Sequence, residues 1–318
     1  MSKTISFLFS PLHCPYENLA IENYLLERVL ENERIYFFYS NKPSIVIGRF
    51  QNPWIECDLK RVYEEGIHFV RRQSGGGTVF HDLGNLNFCV IDGRRELSKE
   101  MNNELFINHN GPKKISGSAF KQKKNSSFHH GTLLIDAHLN SLNGLLKGKH
   151  DFSLTKSISS VSSKVMNLKD ICTGITMDLV IDKIKGKLLI HENVREINSI
   201  HFDSSLIDLV FLEKMKSWQW QIGETPLFEF SHQERGITGG FEINLKCRKG
   251  VLESIHLTHE EIHPKFIELI TSQLISIPLN KEDLNSCFER LFSFFDSEDD
   301  RALGIKVKAY LEELHLFL

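Results

Sequence analysis

The stretch Arg71-Arg72-Gln73-Ser74-Gly75-Gly76-Gly77-Thr78-Val79-Phe80-His81-Asp82 is the most informative in the chain. Three consecutive glycines follow the β-branched run Ile67 to Val70 and lead into a second apolar run, so a loop without side chains is held between two strands. Such a loop lets several backbone N–H groups approach a ligand, and it suits a phosphate or a carboxylate. Arg71 and Arg72 add permanent charge and planar donors that grip phosphate oxygens in pairs. The glycines alone suit a hairpin turn equally well. No Gly-Lys-Ser/Thr follows, as a P-loop requires, and the spacing is not that of the dinucleotide GxGxxG.

Outward from this loop, the runs Ile35 to Tyr39, Ser44 to Ile47, Leu86 to Ile91 and Thr132 to Ile135 read as strands, and residues 1–10 as a first strand. Asn18 to Leu30 separates into an apolar and a polar face at helical spacing. Strands mixed with helices, without regular alternation, give an α+β class with a mixed sheet rather than a doubly wound parallel one. Glu242 to Leu257 alternates on both sides of Gly250, as a β-hairpin does, and helical patterns follow over Pro264 to Ile277, Lys281 to Phe295 and Arg301 to Leu316. The expected organisation is a catalytic domain over 1–210 and a smaller α+β accessory domain over 211–318. Ser157 to Ser163 reads as a loop or helix entry.

At 318 residues the chain is long for one core, and a net charge of −3 argues against a general nucleic-acid binder. No apolar run reaches the roughly 18 to 20 residues that span a bilayer. The amino terminus has neither the apolar core of a secretory signal nor the Arg-rich character of a mitochondrial presequence, so a cytoplasmic protein is expected. The six cysteines contain no CxxC pair and several lie in apolar runs, the pattern of free thiols without disulfide or metal.

Lys114 opens a second Gly/Ser-containing segment, Lys114-Ile115-Ser116-Gly117-Ser118-Ala119, where small neighbours let a lysine approach a carboxylate or phosphate closely. Lys121, Lys123 and Lys124 read as a solvated basic hairpin able to steer an acidic partner. His129 and His130 are neighbours on a strand and point to opposite faces, so they do not ligate one ion together, although one can line a pocket. His81, with Asp82 and Asn85, is a candidate catalytic group or a turn stabiliser.

The runs Val46-Ile47-Gly48-Arg49, Gln51 to Cys57, Arg71 to Asn87, Lys114 to Ala119 and Phe128 to Leu134 resemble, in this order, the lipoate–protein ligase A family and its lipoyltransferase relatives. The resemblance continues through Ser162 to Leu168, Ser217-Trp218-Gln219-Trp220 and Thr238-Gly239-Gly240. It implies a catalytic domain with the fold of biotin–protein ligases and a two-step reaction. Lipoate and ATP, with Mg2+, form lipoyl-AMP and pyrophosphate, and the lipoyl group then passes to a lysine. The implied acceptors are apo lipoyl domains of 2-oxoacid dehydrogenase complexes and the glycine-cleavage H protein. Carried over by position, Arg71, Gly76, Gly77, Thr78, Val79 and Lys114 match ATP-binding positions. Lys114 also matches the lysine that contacts lipoate and is the candidate catalytic residue; Ser74, Gly75 and His81 belong to the surrounding lipoate-binding wall.

One departure from the family stands out. Where relatives place a helix and a polar Arg-Asn-Asp turn before the lysine motif, only Asp92 to Lys113 intervenes here. Glu104 stands where an aspartate would help hold magnesium or the adenylate. Adenylation is thereby less secure than binding. The competing readings are a lipoyltransferase using preformed lipoyl-AMP or another lipoylated protein, and a non-catalytic lipoyl- or adenylate-binding protein. An octanoyltransferase would need a cysteine near its acyl pocket, and none lies between Cys89 and Cys172.

Overall fold

The structure, a computed structural model, describes residues 3–94, 113–139, 144–146, 148, 152–161, 163–191, 194–236, 239–259, 263–295 and 297–313. Its elements, in chain order, are β1 (Lys3–Phe9), α1 (Pro15–Arg28), β2 (Glu33–Tyr39), β3 (Ser44–Ile47), α2 (Pro53–Glu56), α3 (Leu59–Glu64), β4 (His68–Arg71), β5 (Val79–His81), β6 (Asn85–Asp92), β7 (Ser116–Gln122), β8 (Ser127–Leu134) and β9 (Phe152–Thr155). There follow α4 (Met177–His191), β10 (Val194–Ile200), α5 (Leu209–Lys216), β11 (Phe228–Gly236), β12 (Gly239–Arg248), β13 (Val251–His259), α6 (Pro264–Leu274), α7 (Lys281–Phe292) and α8 (Glu298–Glu313). The chain packs into two compact units, one of Met1–Arg49, Val62–Leu146 and Ser160–Lys216, the other of Phe50–Arg61, Lys147–Ser159 and Ser217–Leu318.

The first unit is built on a six-stranded sheet ordered β10-β1-β2-β6-β8-β7, in which β1 runs parallel to both neighbours and the remaining pairs are antiparallel. Alternation along the strands sends successive side chains to opposite faces. One face, with Phe7, Tyr36, Phe38, Phe88 and Val90, is covered by Ile181, Ile184 and Leu188 of α4. The other, with Phe37, Tyr39, Cys89 and Phe128, is covered by Ile21, Leu25 and Leu26 of α1. Helix α1 starts at Pro15, where a missing N–H costs nothing, and carries Glu17 in its first turn and Arg28 in its last, each complementing the helix dipole.

A separate three-stranded sheet, β4-β3-β5, holds β3 parallel to β4 and antiparallel to β5. The second unit has a four-stranded antiparallel sheet, β13-β12-β11-β9, with Trp54 packed on Phe228 at 5.1 Å between ring centroids. The expected hairpin is β12–β13, turning at Lys249 and Gly250. The three helical patterns correspond to α6, α7 and α8, and the strand expected at Thr132 to Ile135 is the end of the longer β8.

Candidate functional site

The glycine loop, residues 72–78, crosses over the end of β3 because β4 and β5 lie on opposite sides of that strand. Two backbone bonds fasten it, Arg72 N–H to Ile47 O at 3.0 Å and Arg49 N–H to Ser74 O at 2.8 Å. Arg72 does the rest from within. Its Nε donates to Ser74 Oγ at 3.0 Å, Nη1 to Val46 O at 2.9 Å, and Nη2 to both Gly75 O and Gly77 O at 2.7 Å. Pinning these carbonyls inward determines how the loop backbone lies. Burial pulls the Arg72 guanidinium down to about 10, partly offset by Glu22 and Tyr39, so it stays charged at neutral pH.

Gly76 has φ +85°, a conformation that costs a side chain, and a Cβ there would lie 3.1 Å from Arg72 Nη2 and 3.5 Å from Ala119 Cβ. A Cβ on Gly75 would meet nothing within 4 Å. The loop is therefore open on its outer side. Thr78 N–H donates to Ser160 Oγ at 2.8 Å.

Arg71 lies elsewhere. Its side chain is fully buried and Nη1 donates to the carbonyls of Gly48 at 3.3 Å and Arg49 at 3.2 Å, at the end of β3.

Strand β7 brings the other candidates to the loop. Gly117, Ala119 and Lys121 share one of its faces. Lys114 folds back over the first: a Cβ on Gly117 would be 3.8 Å from both Cε and Nζ of Lys114. Gly76 packs on the second, and Lys121 Nζ bonds Gln73 Oε1 in the loop. Gly117 and Ala119 are two residues, about 7 Å, apart on the strand, so Lys114 and the glycine loop lie against neighbouring positions of a single face. Lys114 is exposed, and its backbone is held by Lys164 O and Met166 N–H at 2.8 and 3.0 Å.

Polar atoms without partners surround this face. Asn87 and Gly117 both pair with Thr132 in the sheet, and Asn87 Nδ2 is a buried donor with no acceptor among the described residues. His81 is similar: Asn41 Nδ2 donates to its Nδ1 at 3.0 Å, leaving a buried Nε2–H unpartnered. Burial first, then Arg72 and His130, push the His81 imidazole down to about 3. It is thus a neutral donor and not a base at neutral pH. Asp82 stabilises the turn, accepting from Gly84 N–H at 2.9 Å and His138 N–H at 2.7 Å. Buried donors lacking acceptors are what an anionic ligand completes.

The two histidines face opposite ways, as their sequence positions require. His129 is stacked on Phe120 at 4.1 Å, and its imidazole is pushed down to about 3 by burial and then His130. His130 Nε2 lies 2.6 Å from Ser74 Oγ and its Nδ1 2.9 Å from Glu22 Oε2. Burial pushes the nearby Cys89 thiol well up, with Glu22 adding to the effect. Near Lys121 the charge is positive: burial, Arg49 and Lys214 bring its ammonium down to about 8. Glu104 lies outside the described residues.

Glu22, Asn41 and Asn87 were absent from the sequence candidates. Two had a signal: Glu22 interrupts the apolar face of a helix, and Asn87 alternates with Asn85 within an otherwise apolar strand; Asn41 had none.

Two family descriptions match this chain. "Lipoyl protein ligase A/B catalytic domain" matches in two segments, residues 14–105 and 93–189, and "Bacterial lipoate protein ligase C-terminus" matches residues 225–302. Lipoate-protein ligase A of Blochmanniella floridana is 32% identical over 308 residues, covering 89% of this chain and 91% of that protein. The chain belongs to the lipoate–protein ligase A family. Its function is the attachment of lipoate to protein. Among solved structures, LipL1 of P. falciparum, determined in complex with lipoate, is 26% identical with a TM-score of 0.58, covering 96% of this chain and 99% of that one. A lipoate-protein ligase A bound with ATP shares the fold, at 24% identity and a TM-score of 0.56, over 70% of this chain and 100% of that one.

Proposed function

We propose that this site joins lipoate to ATP as lipoyl-AMP and then passes the lipoyl group to a lysine of an apo lipoyl domain. The observation that carries the reading is the shared face of β7: one flexible cation, Lys114, and one open glycine loop against neighbouring positions of that face, with buried donors beside them that lack acceptors among the described residues. In the first step a lipoate carboxylate oxygen attacks the α-phosphorus of ATP and pyrophosphate leaves. Two anions must meet, so the barrier is dominated by charge, and fixed donors that need no reorganisation lower it most. Lys114 sits against both reacting groups, while the backbone of Gly76, Gly77, Thr78 and Val79 takes the nucleotide and Ser74, Gly75 and His81 border the carboxylate. Arg72 holds the loop from behind, and Arg71 the end of β3. In the second step the acceptor amine attacks the acyl carbon and AMP leaves. The amine needs this activation, since at pH 7 a lysine of pKa near 10.4 is unprotonated in only about one molecule in 2,500.

Magnesium takes oxygen ligands and suits ATP phosphates, whose charge it would offset. Among the described residues the one three-residue cluster able to hold a metal, Glu22, Cys89 and His130, offers a sulfur and a nitrogen and does not suit it. No step is assigned to it. Lys121, Arg49 and Lys214 give the site an anion-attracting border that fits an acidic lipoyl domain of a 2-oxoacid dehydrogenase complex or glycine-cleavage H protein. Free thiols fit a cytoplasmic setting.

The test combines purified protein with lipoate, ATP, magnesium and apo lipoyl domain. Pyrophosphate release and a lipoylated acceptor are expected. Transfer from supplied lipoyl-AMP without pyrophosphate release would replace this reading by a lipoyltransferase, and no modification under either condition would leave a binding protein.

A further inference from the structure

Among the described residues, helix α5 has an uncovered apolar end. Its buried residues are Phe211, Leu212 and Met215, which turns Leu209, Val210 and Lys214 outward. Leu209 is 67% and Val210 84% exposed. One apolar side chain on a surface is ordinary, but two large neighbours rimmed by charge form the kind of spot that a partner covers. Val210 and Lys214 are four residues apart and stand one above the other on the helix. Lys214 in turn bears on Lys121: burial first, then Arg49 and Lys214, bring the Lys121 ammonium down to about 8, with Glu22 a smaller opposing influence. Glu213, the one acidic residue of α5, is paired with Lys216 at 3.2 Å. We propose that Leu209, Val210 and Lys214, with Lys121 beside them, form the docking surface for an acidic acceptor domain, which seats an apolar side chain on Leu209 and Val210 and sets carboxylates against Lys214 and Lys121.

A continuous chain of hydrogen bonds ties this helix to the glycine loop. Asp208 caps α5, its Oδ1 accepting from Phe211 N–H at 2.9 Å, and its Oδ2 accepts from Asn23 Nδ2 at 2.8 Å. Asn23 Oδ1 accepts from Gln73 Nε2 at 2.6 Å, and Gln73 Oε1 accepts from Lys121 Nζ. Each carboxamide donates with one end and accepts with the other, so neither can turn over without breaking two bonds. Gln73 belongs to the loop. The start of α5, the middle of α1, the loop and β7 are therefore held together, and a domain seated on α5 brings its lysine to the rim of the loop.

Charge decides between occupants. A second copy of this chain docked face to face would set Lys214 and Lys121 against their own images, and like charges would repel. An acidic domain answers those cations and is drawn in by their field, which raises the rate of encounter. The apolar pair supplies what charge does not, a dry contact that slows departure. This assignment rests on the transfer step proposed above, whose second substrate the surface would hold.

Two measurements on the full chain need no ATP and so do not depend on adenylation. A photo-crosslinking residue at Val210 is expected to capture an apo lipoyl domain, and one at Ile305, an exposed residue of α8, is not. Capture at both positions or at neither, or capture of a second copy in its place, overturns the surface. Leu209→Ser combined with Val210→Ser is expected to weaken binding of the apo domain in calorimetry by at least about tenfold while leaving the melting temperature unchanged, since both side chains are exposed. An unchanged affinity overturns the apolar contact. Added salt should weaken binding to the wild type, and Lys214→Glu should remove most of that dependence; a wild-type affinity indifferent to salt overturns the charge pairing. In turnover, the double serine variant should keep ATP–pyrophosphate exchange and raise the KM for the apo domain with kcat kept, whereas a raised KM for ATP would make this a nucleotide site and overturn the docking role. Absent exchange in the wild type with crosslinking intact would refute the adenylation step alone and support the surface.

Discussion

Replacing Arg72 by lysine separates the charge of the loop clamp from its geometry. Arg72 serves four acceptors, Ser74 Oγ, Val46 O, Gly75 O and Gly77 O, from three nitrogens at distances of 2.7 to 3.0 Å. An ammonium has its three donors on one atom and cannot span that set. At least two acceptors lose their partner, at roughly 1.5 to 3 kcal/mol for each bond to a charged group, or about 3 to 6 kcal/mol together. Gly75 and Gly77 are only half-buried, so water recovers part of this, and the expected net loss is about 3 kcal/mol. That is a large share of the roughly 5 to 15 kcal/mol that holds a domain together. Urea denaturation should show it as a lowered midpoint with an unchanged slope. In ATP–pyrophosphate exchange, the loosened loop should raise the KM for ATP at least about tenfold, equivalent to 1.4 kcal/mol. A midpoint within about 0.5 kcal/mol of wild type would refute the clamp, because it would mean that these bonds carry no more than an ordinary surface contact.

Three other outcomes follow from the same geometry, and a fourth from the second unit. Lys114→Ala should slow adenylation by on the order of 100-fold or more in pyrophosphate exchange, and near-normal exchange would remove Lys114 from its assigned role. Gly76→Ala should destabilise by about 1 to 2 kcal/mol through its positive φ alone and should weaken ATP binding, read by thermal shift with and without nucleotide. Stability should also fall in acid. His81 and His129 are pushed from 6.5 to about 3 in the folded chain, so their contribution is intact above pH 6.5 and is lost as pH falls towards 3. At pH 5 the loss is about 2 kcal/mol each, or about 4 kcal/mol together. His129→Phe should halve that pH dependence in urea melts, and an unaltered dependence would contradict the reasoning. Finally, residues 217–318 expressed alone lack β9 and Trp54, exposing the β11 edge and Phe228. Circular dichroism and light scattering should find that fragment poorly folded and associated, and a monomer with a cooperative melt would count against this.

Much of the fold was legible because its signals are local. Short β-branched and aromatic runs mark β2, β3 and β6, alternation marks the β12–β13 hairpin, and helical spacing marks α1, α6, α7 and α8. Strands such as β7, Ser116–Gln122, carry few β-branched residues and are strands because β8 pairs with them. The four-residue β9 and the helix α4 were likewise hidden, the first by its length and the second by a weak division into polar and apolar faces. At the site, the Gly75-Gly76-Gly77 loop and Lys114 could be read from the sequence, whereas their meeting on one face of β7 depends on register. Arg71 and Arg72 look alike as a pair of cations. Only the packing gives Arg72 to the loop carbonyls and Arg71 to the end of β3.

The place of β1 in its sheet has a consequence for how the chain is made. Strand β1 is flanked by β2, its near neighbour in sequence, and by β10, nearly 200 residues further on, and it pairs with both in parallel. Emerging from the ribosome, the amino-terminal half can dock α1 and close β1 on β2 at once, yet the opposite edge of β1 stays unpaired until Val194 to Ile200 has been synthesised. At roughly 5 to 20 residues per second this leaves an open strand edge for several seconds or more. Long-range parallel pairing is also slow to form. Thr4, Ser6 and their neighbours thus face the nascent-chain environment as an adhesive edge, and chaperone capture during synthesis is expected to concentrate there.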